Sequence, residues 1–215
     1  MAGGLAWCYQ CDLARSEAGG LLADVVVPLG YAVRGEALAE DLWRYKSERA
    51  GAAEAAGRLR EMLSAFLRGD ADSAWRRDAD SAWRRDADSA WRAAGMPAAG
   101  PSAVAVVPSG QGRLGAHPLT AIVRSCVDLP VIRLSVAPGV IHARGLTMDW
   151  LRVDGLAAGA DVLVVDDTWV SGGSAQSAAV ALKLAGANHV AIVVLGRHVN
   201  PGDPRLADFL AALAS

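Results

Sequence analysis

Lysine is almost missing from this chain: Lys46 and Lys183 are the only two, and the other 19 of its 21 basic residues are arginines. With 23 acidic residues the formal net charge is -2, which excludes a protein that coats nucleic acid through bulk positive charge. Three cysteines among 215 residues are too few for a disulfide framework and fit a reducing compartment. No apolar run approaches the ~20 residues of a membrane-crossing helix, since stretches such as Val162 to Val165 are short. The first residues, Met1 to Leu5, place no basic residue before an apolar stretch, so no secretory signal is legible and a cytoplasmic location is expected. What the chain does have is a 53% hydrophobic composition, enough for a substantial core in one domain with room for a small second unit.

The cysteines carry little chemistry. Cys8-x-x-Cys11 is half of a zinc site, but Cys126 stands alone and His117, His142, His189 and His198 lack ligand spacing. Two cysteines in a small N-terminal knuckle is the favoured reading. Val25 to Leu29 reads as a strand, and Glu36 to Arg68 as one or two amphipathic helices broken near Gly51 or Gly57. Trp43, Tyr45 and Lys46 on that stretch are read as an aromatic packing face with a lysine reaching to solvent.

An internal repeat follows. The eight residues Asp70 to Arg77 recur from Asp78 to Arg85 and again from Asp86 to Arg92, where the final arginine is lost. Eight residues at ~100° each overshoot two turns by about 80°, so Trp75, Trp83 and Trp91 cannot share one narrow helix face. The repeat is read as a solvent-exposed insertion between an N-terminal unit, 1–69, and a core, 96–215, with the insertion itself spanning 70–95. Its aspartates cancel its arginines, which argues against a nucleic-acid surface.

Beyond Pro101 the rhythm becomes α/β. Ala103 to Val107, Val131 to Leu134, Asp161 to Val165 and Val190 to Leu195 read as strands, with helices over His117 to Cys126 and Ser174 to Leu184. Near-continuous apolar strands separated by helices predict a parallel sheet covered on both faces. The stretch from Ser135 to Gly159 has weak periodicity and reads as a long functional loop.

The densest chemistry lies from Val162 to Ser174. Four apolar residues place Asp166 and Asp167 at the carboxyl end of a buried strand, where open α/β sheets bind ligands. Ser171 to Ser174 then make a small-residue turn at a helix N-terminus, whose backbone N–H groups and dipole suit a phosphate. Adjacent carboxylates suit a diol, so the segment describes a ribose 5-phosphate cradle. Upstream, Ser109-Gly110-Gln111-Gly112-Arg113 follows a strand and is a glycine-rich loop with one cation.

This segment resembles the phosphoribosyl pyrophosphate (PRPP) motif of type I phosphoribosyltransferases. The order of parts, Cys8-x-x-Cys11, Tyr45-Lys46, the loop from Pro108 to Arg113 and the acid pair, is similar to the ComF-like and amidophosphoribosyltransferase-related group. The resemblance implies an α/β fold with a Rossmann-like parallel-sheet core and an N-terminal helical extension. It implies that Asp166 and Asp167 hold the ribose hydroxyls, meeting Mg²⁺ only indirectly through Mg-PRPP, and that Thr168, Ser171, Gly172, Gly173 and Ser174 bind the phosphate. Residues Ser109 to Arg113 would take the pyrophosphate, and His142 and Arg144 would be the cations of a closing catalytic loop. Val170 departs from the pattern, because many members place an Asp or Thr there to assist the nucleophile. The expected partners are PRPP, Mg²⁺ and an unidentified small acceptor, with no membrane or nucleic acid and with a homodimer left open. The alternatives are a non-catalytic PRPP or nucleotide sensor and an accessory protein of DNA uptake.

Overall fold

The computed structural model describes residues 9–69, 87–109, 117–140, 145–203 and 211. Its elements in chain order are α1 (Tyr9–Ala18), a 3-10 turn (Gly19–Leu21), β1 (Val25–Pro28), β2 (Tyr31–Val33), α2 (Ala37–Arg44), α3 (Ala52–Leu67) and α4 (Ala87–Ala93). They continue as β3 (Ala103–Val106), α5 (Pro118–Cys126), β4 (Val131–Val136), β5 (Leu151–Asp154), β6 (Asp161–Trp169), α6 (Gly173–Leu184) and β7 (His189–Val199). The seven strands form one sheet in the order β1-β7-β6-β3-β4-β5, with β2 also pairing β7. All pairings are parallel except β4 with β5.

The central strands have no polar face because both faces are covered. On one side Val104, Val106, Leu163, Val165, Val193 and Leu195 pack with Leu59, Leu63 and Phe66 of α3 and with Leu119 and Val123 of α5. On the other, Ala105, Val162, Val164, Ile192 and Val194 pack with Ala175, Ala178 and Leu182 of α6 and with Trp150. The small residues of α6 let that helix lie close to the sheet. Chain order reverses direction between β3 and β6, since the path from β3 leads outward to β4 and the path from β6 outward to β7. A crevice opens at such a reversal beyond the carboxyl ends of the strands.

The strands and helices read from the sequence after Pro101 are present, and the structure departs from the reading in four places. The stretch from Ser135 to Gly159 is not one loop: it holds β5, an antiparallel edge strand, and Trp150, which is only 1% exposed. Periodicity missed it because β5 has just four residues. Strand β6 runs on through Trp169, so the acid pair lies within the strand rather than after it. Cys11 stands on helix α1 rather than in a knuckle, while Cys8 lies outside the described residues. The fourth difference concerns the repeat. Residues 70–86, which contain its first two copies, lie outside the described residues, but the third copy forms α4 and buries Ala87, Ala90 and Trp91 in the core. Trp91 meets Phe66 edge-on with ring centroids 6.1 Å apart and planes at 84°. The repeat is therefore not wholly an exposed insertion.

Replacing Trp91 with Ala removes this aromatic contact and opens a cavity, so it should lower unfolding free energy by about 3–5 kcal/mol in a denaturant titration. A loss within ~0.5 kcal/mol would show that α4 contributes no core.

Candidate functional site

The acid pair sits at the switch point, and the pleat of β6 separates its two carboxylates. Successive side chains of a strand point to opposite faces. Asp167 follows the alternation of Leu163 and Val165 toward α2, α3 and α5, and Asp166 that of Val162 and Val164 toward α6. One diol cannot be gripped symmetrically by both groups in this arrangement.

Asp167 is 6% exposed and its Oδ2 is the focus of three residues. The Tyr45 hydroxyl donates a hydrogen bond to it. Lys46 Nζ stands 2.6 Å away, and His117 Nε2 lies 3.7 Å away. Local structure explains why all three arrive there. Tyr45 caps the C-terminus of α2 and Lys46 follows it; α2 lies flat on β7 because Gly196 has no side chain, and a Cβ there would collide with Leu42. Asp41, buried on α2, accepts hydrogen bonds from Arg58 Nε at 2.7 Å and Nη2 at 2.5 Å, fastening α2 to α3 and drawing the Arg58 guanidinium pKa upward. His117 is the N-cap of α5: its Nδ1 accepts from the Leu119 N–H at 3.2 Å, with Pro118 opening the helix. An accepting Nδ1 leaves the proton of a neutral imidazole on Nε2, the nitrogen that faces Asp167. Tyr45 does pack in the core, as read, while its hydroxyl meets Asp167; the reading of Lys46 as reaching to solvent is corrected, since its Nζ pairs with Asp167. Trp43, 59% exposed with Arg49 stacked 4.9 Å from its ring centroid, is not part of a packing face.

Asp166 has a different environment. Its Oδ1 accepts from the Asp167 N–H at 2.9 Å. Burial pushes its pKa up to about 7, and the neighbouring Asp167 charge adds to the rise; the Asp167 N–H, Lys46 and the Thr168 N–H oppose it. The two adjacent acids therefore stand in different environments, Asp167 paired with Lys46 and Asp166 raised by desolvation.

After β6 the chain turns through Val170 and Ser171 into α6. Gly172 is the N-cap with φ +79°, a left-handed conformation natural to glycine, and a Cβ there would fall inside the Trp169 indole. Ser171 Oγ accepts from the Gly173 N–H at 3.4 Å. Thr168 and Ser174 flank this turn, half-buried, and Val170 is 73% exposed. Beside the turn lies a cavity of ≈ 790 Å³ whose walls include Leu22, Val26, Trp169 and Gln176, with Arg15 and Arg197 also in its lining. Sequence reasoning missed this cavity, since its lining comes from α1, β1, the β6–α6 turn and β7, each unremarkable alone.

The structure thus brings Asp166, Asp167, Thr168, Ser171, Gly172, Gly173 and Ser174 together, and Ser109, two residues past Val107, follows β3, the strand next to β6. Gly110, Gln111, Gly112 and Arg113, and likewise His142 and Arg144, lie outside the described residues. Among the described residues no group of three or more His, Cys, Asp or Glu is placed to hold a metal ion, and no helix is long and apolar enough to cross a membrane.

The raised pKa of Asp166 has a definite sign. A carboxyl that binds its proton more tightly when folded contributes stability fully below its ordinary value of 3.8 and loses that contribution as pH rises through about 7. The melting temperature of the ligand-free protein should accordingly fall between about pH 5 and about pH 8, and Asp166→Asn should flatten that slope. Parallel pH profiles for the two proteins would contradict the assignment.

No protein-family model matches this chain, and no curated protein matches it. Among solved structures it is similar to a purine phosphoribosyltransferase from Pyrococcus horikoshii Ot3, at 20% identity and a TM-score of 0.31, over 47% of this chain and 76% of that one.

Proposed function

We propose that this protein transfers ribose 5-phosphate from PRPP to a small acceptor and releases pyrophosphate. The observation that carries the reading is the join at the carboxyl end of β6. There an acid pair, a left-handed glycine and a small-residue turn lead directly into the N-terminus of a twelve-residue helix, all at the switch point of a parallel sheet. The turn offers a 5-phosphate the backbone N–H groups and positive end of α6. Asp166 faces the ribose hydroxyls, and Asp167 remains a fixed negative charge behind it.

In the reaction an acceptor nitrogen gives its lone pair to C1 of the ribose. The C1–O bond to pyrophosphate breaks with its electron pair on the departing oxygen, and the acceptor nitrogen loses its proton. Positive charge develops on the sugar before the new bond is complete, and the Asp166 carboxylate would stabilise it. Magnesium enters as Mg-PRPP, and when bound it neutralises the departing pyrophosphate. The residues fit that indirect role. Oxygen donors are available in Asp166 and Asp167, while Asp167 Oδ2 already carries Tyr45 and Lys46, so a metal directly upon it would have to displace an ammonium. The cavity beside the turn has the volume of a small-molecule site and suits the acceptor, with Trp169 as a flat apolar wall. We place the reaction in the cytoplasm, with Ser109 to Arg113, His142 and Arg144 serving the pyrophosphate.

Val170 favours a second reading, a PRPP or nucleotide sensor without turnover, because a solvent-exposed valine stands where a nucleophile-assisting group would be useful. The two readings separate in a pyrophosphate-release assay with PRPP, Mg²⁺ and a panel of acceptors. Transfer predicts release with amines or ammonia, which attack through a free lone pair, and weaker release with purine or pyrimidine bases, which must lose a proton. Val170→Asp should raise the rate with bases by up to about 10²-fold at unchanged PRPP affinity. Binding of PRPP with no release for any acceptor supports the sensor, and efficient turnover of a base by the unmodified protein contradicts the assigned role of Val170.

A further inference from the structure

We infer that Tyr45 and Lys46 are positioning residues of the ligand site, which clamp Asp167 to one face of the sheet so that Asp166 alone presents a carboxylate on the other. The inference deepens the reading of the acid pair as the ligand's seat. It rests on four observations. The Tyr45 hydroxyl and Lys46 Nζ converge on one atom, Asp167 Oδ2. Their placement is enforced from a distance, because Asp41 and Arg58 fasten α2 to α3 and Gly196 lets α2 sit against β7. Lys46 retains 28% side-chain exposure while Asp167 keeps 8%, so the ammonium closes the mouth of the carboxylate's niche instead of being sealed in the core with it. Finally, the only other lysine, Lys183, is committed elsewhere, at 2.8 Å from Asp24 near the opposite end of the sheet.

Physically, two adjacent carboxylates at the end of a buried strand repel one another, and an uncompensated pair would drive the strand end to fray or rotate. Lys46 supplies the opposite charge, and Tyr45 fixes the direction in which that charge is met. His117, from the cap of α5, is the third group facing Asp167 and carries its Nε2 proton toward it. Without Lys46, Asp167 keeps the face that the pleat assigns it but loses its counter-charge, and Asp166 then stands beside an uncompensated carboxylate. The N-terminal segment would then be part of the binding site's machinery rather than an appendage.

Two lysines in the whole chain make a spectroscopic test practical. In the ligand-free protein carrying ¹³C,¹⁵N-lysine, Asp167→Asn should displace the side-chain Nζ and Cε signals of Lys46 and leave those of Lys183 in place. Unmoved Lys46 signals would overturn the inference, whatever the protein binds. The second arm measures affinity for Mg-PRPP. Lys46→Met keeps the aliphatic stem and removes the charge, and should weaken binding by about tenfold or more, the effect of losing one charged hydrogen bond. Lys46→Arg restores the charge and should recover most of that loss. Equal affinity of the Met variant and the unmodified protein would assign Lys46 to packing alone. Should Lys46→Met fail to fold, Tyr45→Phe, which deletes one oxygen, replaces it with a smaller expected loss of the same sign, and unchanged affinity there also counts against the clamp. If the unmodified protein binds no PRPP, the transferase reading falls while the lysine spectrum still tests the clamp.

Discussion

Everything at the candidate site follows from where β6 ends. Four of its nine residues, Val162 to Val165, are wholly buried between two helical layers, and the next two positions are both aspartate. A strand cannot point two neighbouring side chains the same way. One carboxylate is therefore sent toward α2 and α5 and the other toward α6, and the fold has to satisfy each separately. Asp167 receives a tyrosine hydroxyl and an ammonium on its side, with His117 Nε2 3.7 Å away. Asp166, half-buried, receives backbone N–H groups, and its desolvation pushes its pKa up to about 7.

This requirement binds distant parts of the chain into one unit. Tyr45 and Asp167 are 122 residues apart, yet the acid pair's counter-charge comes from the α2–α3 connection. Strands β1 and β2 extend the same sheet along β7, and α3 covers the face on which Asp167 lies. The N-terminal segment thus contributes sheet, core and site together. The cavity beside the β6–α6 turn has the same composite origin, with Arg15 from α1 and Arg197 from β7 among the residues that line it.

What could be read in advance divides along physical lines. Runs such as Val162 to Val165 and Val190 to Leu195 signal buried parallel strands because both faces are apolar, and Gly172 and Gly186 punctuate α6 plainly. The four-residue β5 carries too few positions to display a period, and its burial depends on β4 and α6 beside it. Trp91 is instructive in another way. Its octapeptide nearly repeats those of Trp75 and Trp83, so nothing local marks it; its tertiary contact with Phe66 of α3 places it in the core. Tyr45 and Lys46 look like an amphipathic helix end, and only the tertiary position of Asp167 gives them another task. The acid pair and its turn are legible as a candidate site; the separation of the two carboxylates follows from the strand continuing to Trp169, which the apolar run alone does not reveal.

The central claim is that the carboxyl end of β6 and the α6 turn together seat a ribose 5-phosphate, with Asp166 as the carboxylate that meets the sugar. Titration calorimetry of Mg-PRPP into the unmodified protein and into folded Asp166→Asn tests it most directly. The account predicts saturable binding to the first and a loss of at least about tenfold in the second, the effect of removing a charged acceptor from a hydroxyl. Equal binding to both proteins, or heat from neither, would contradict it.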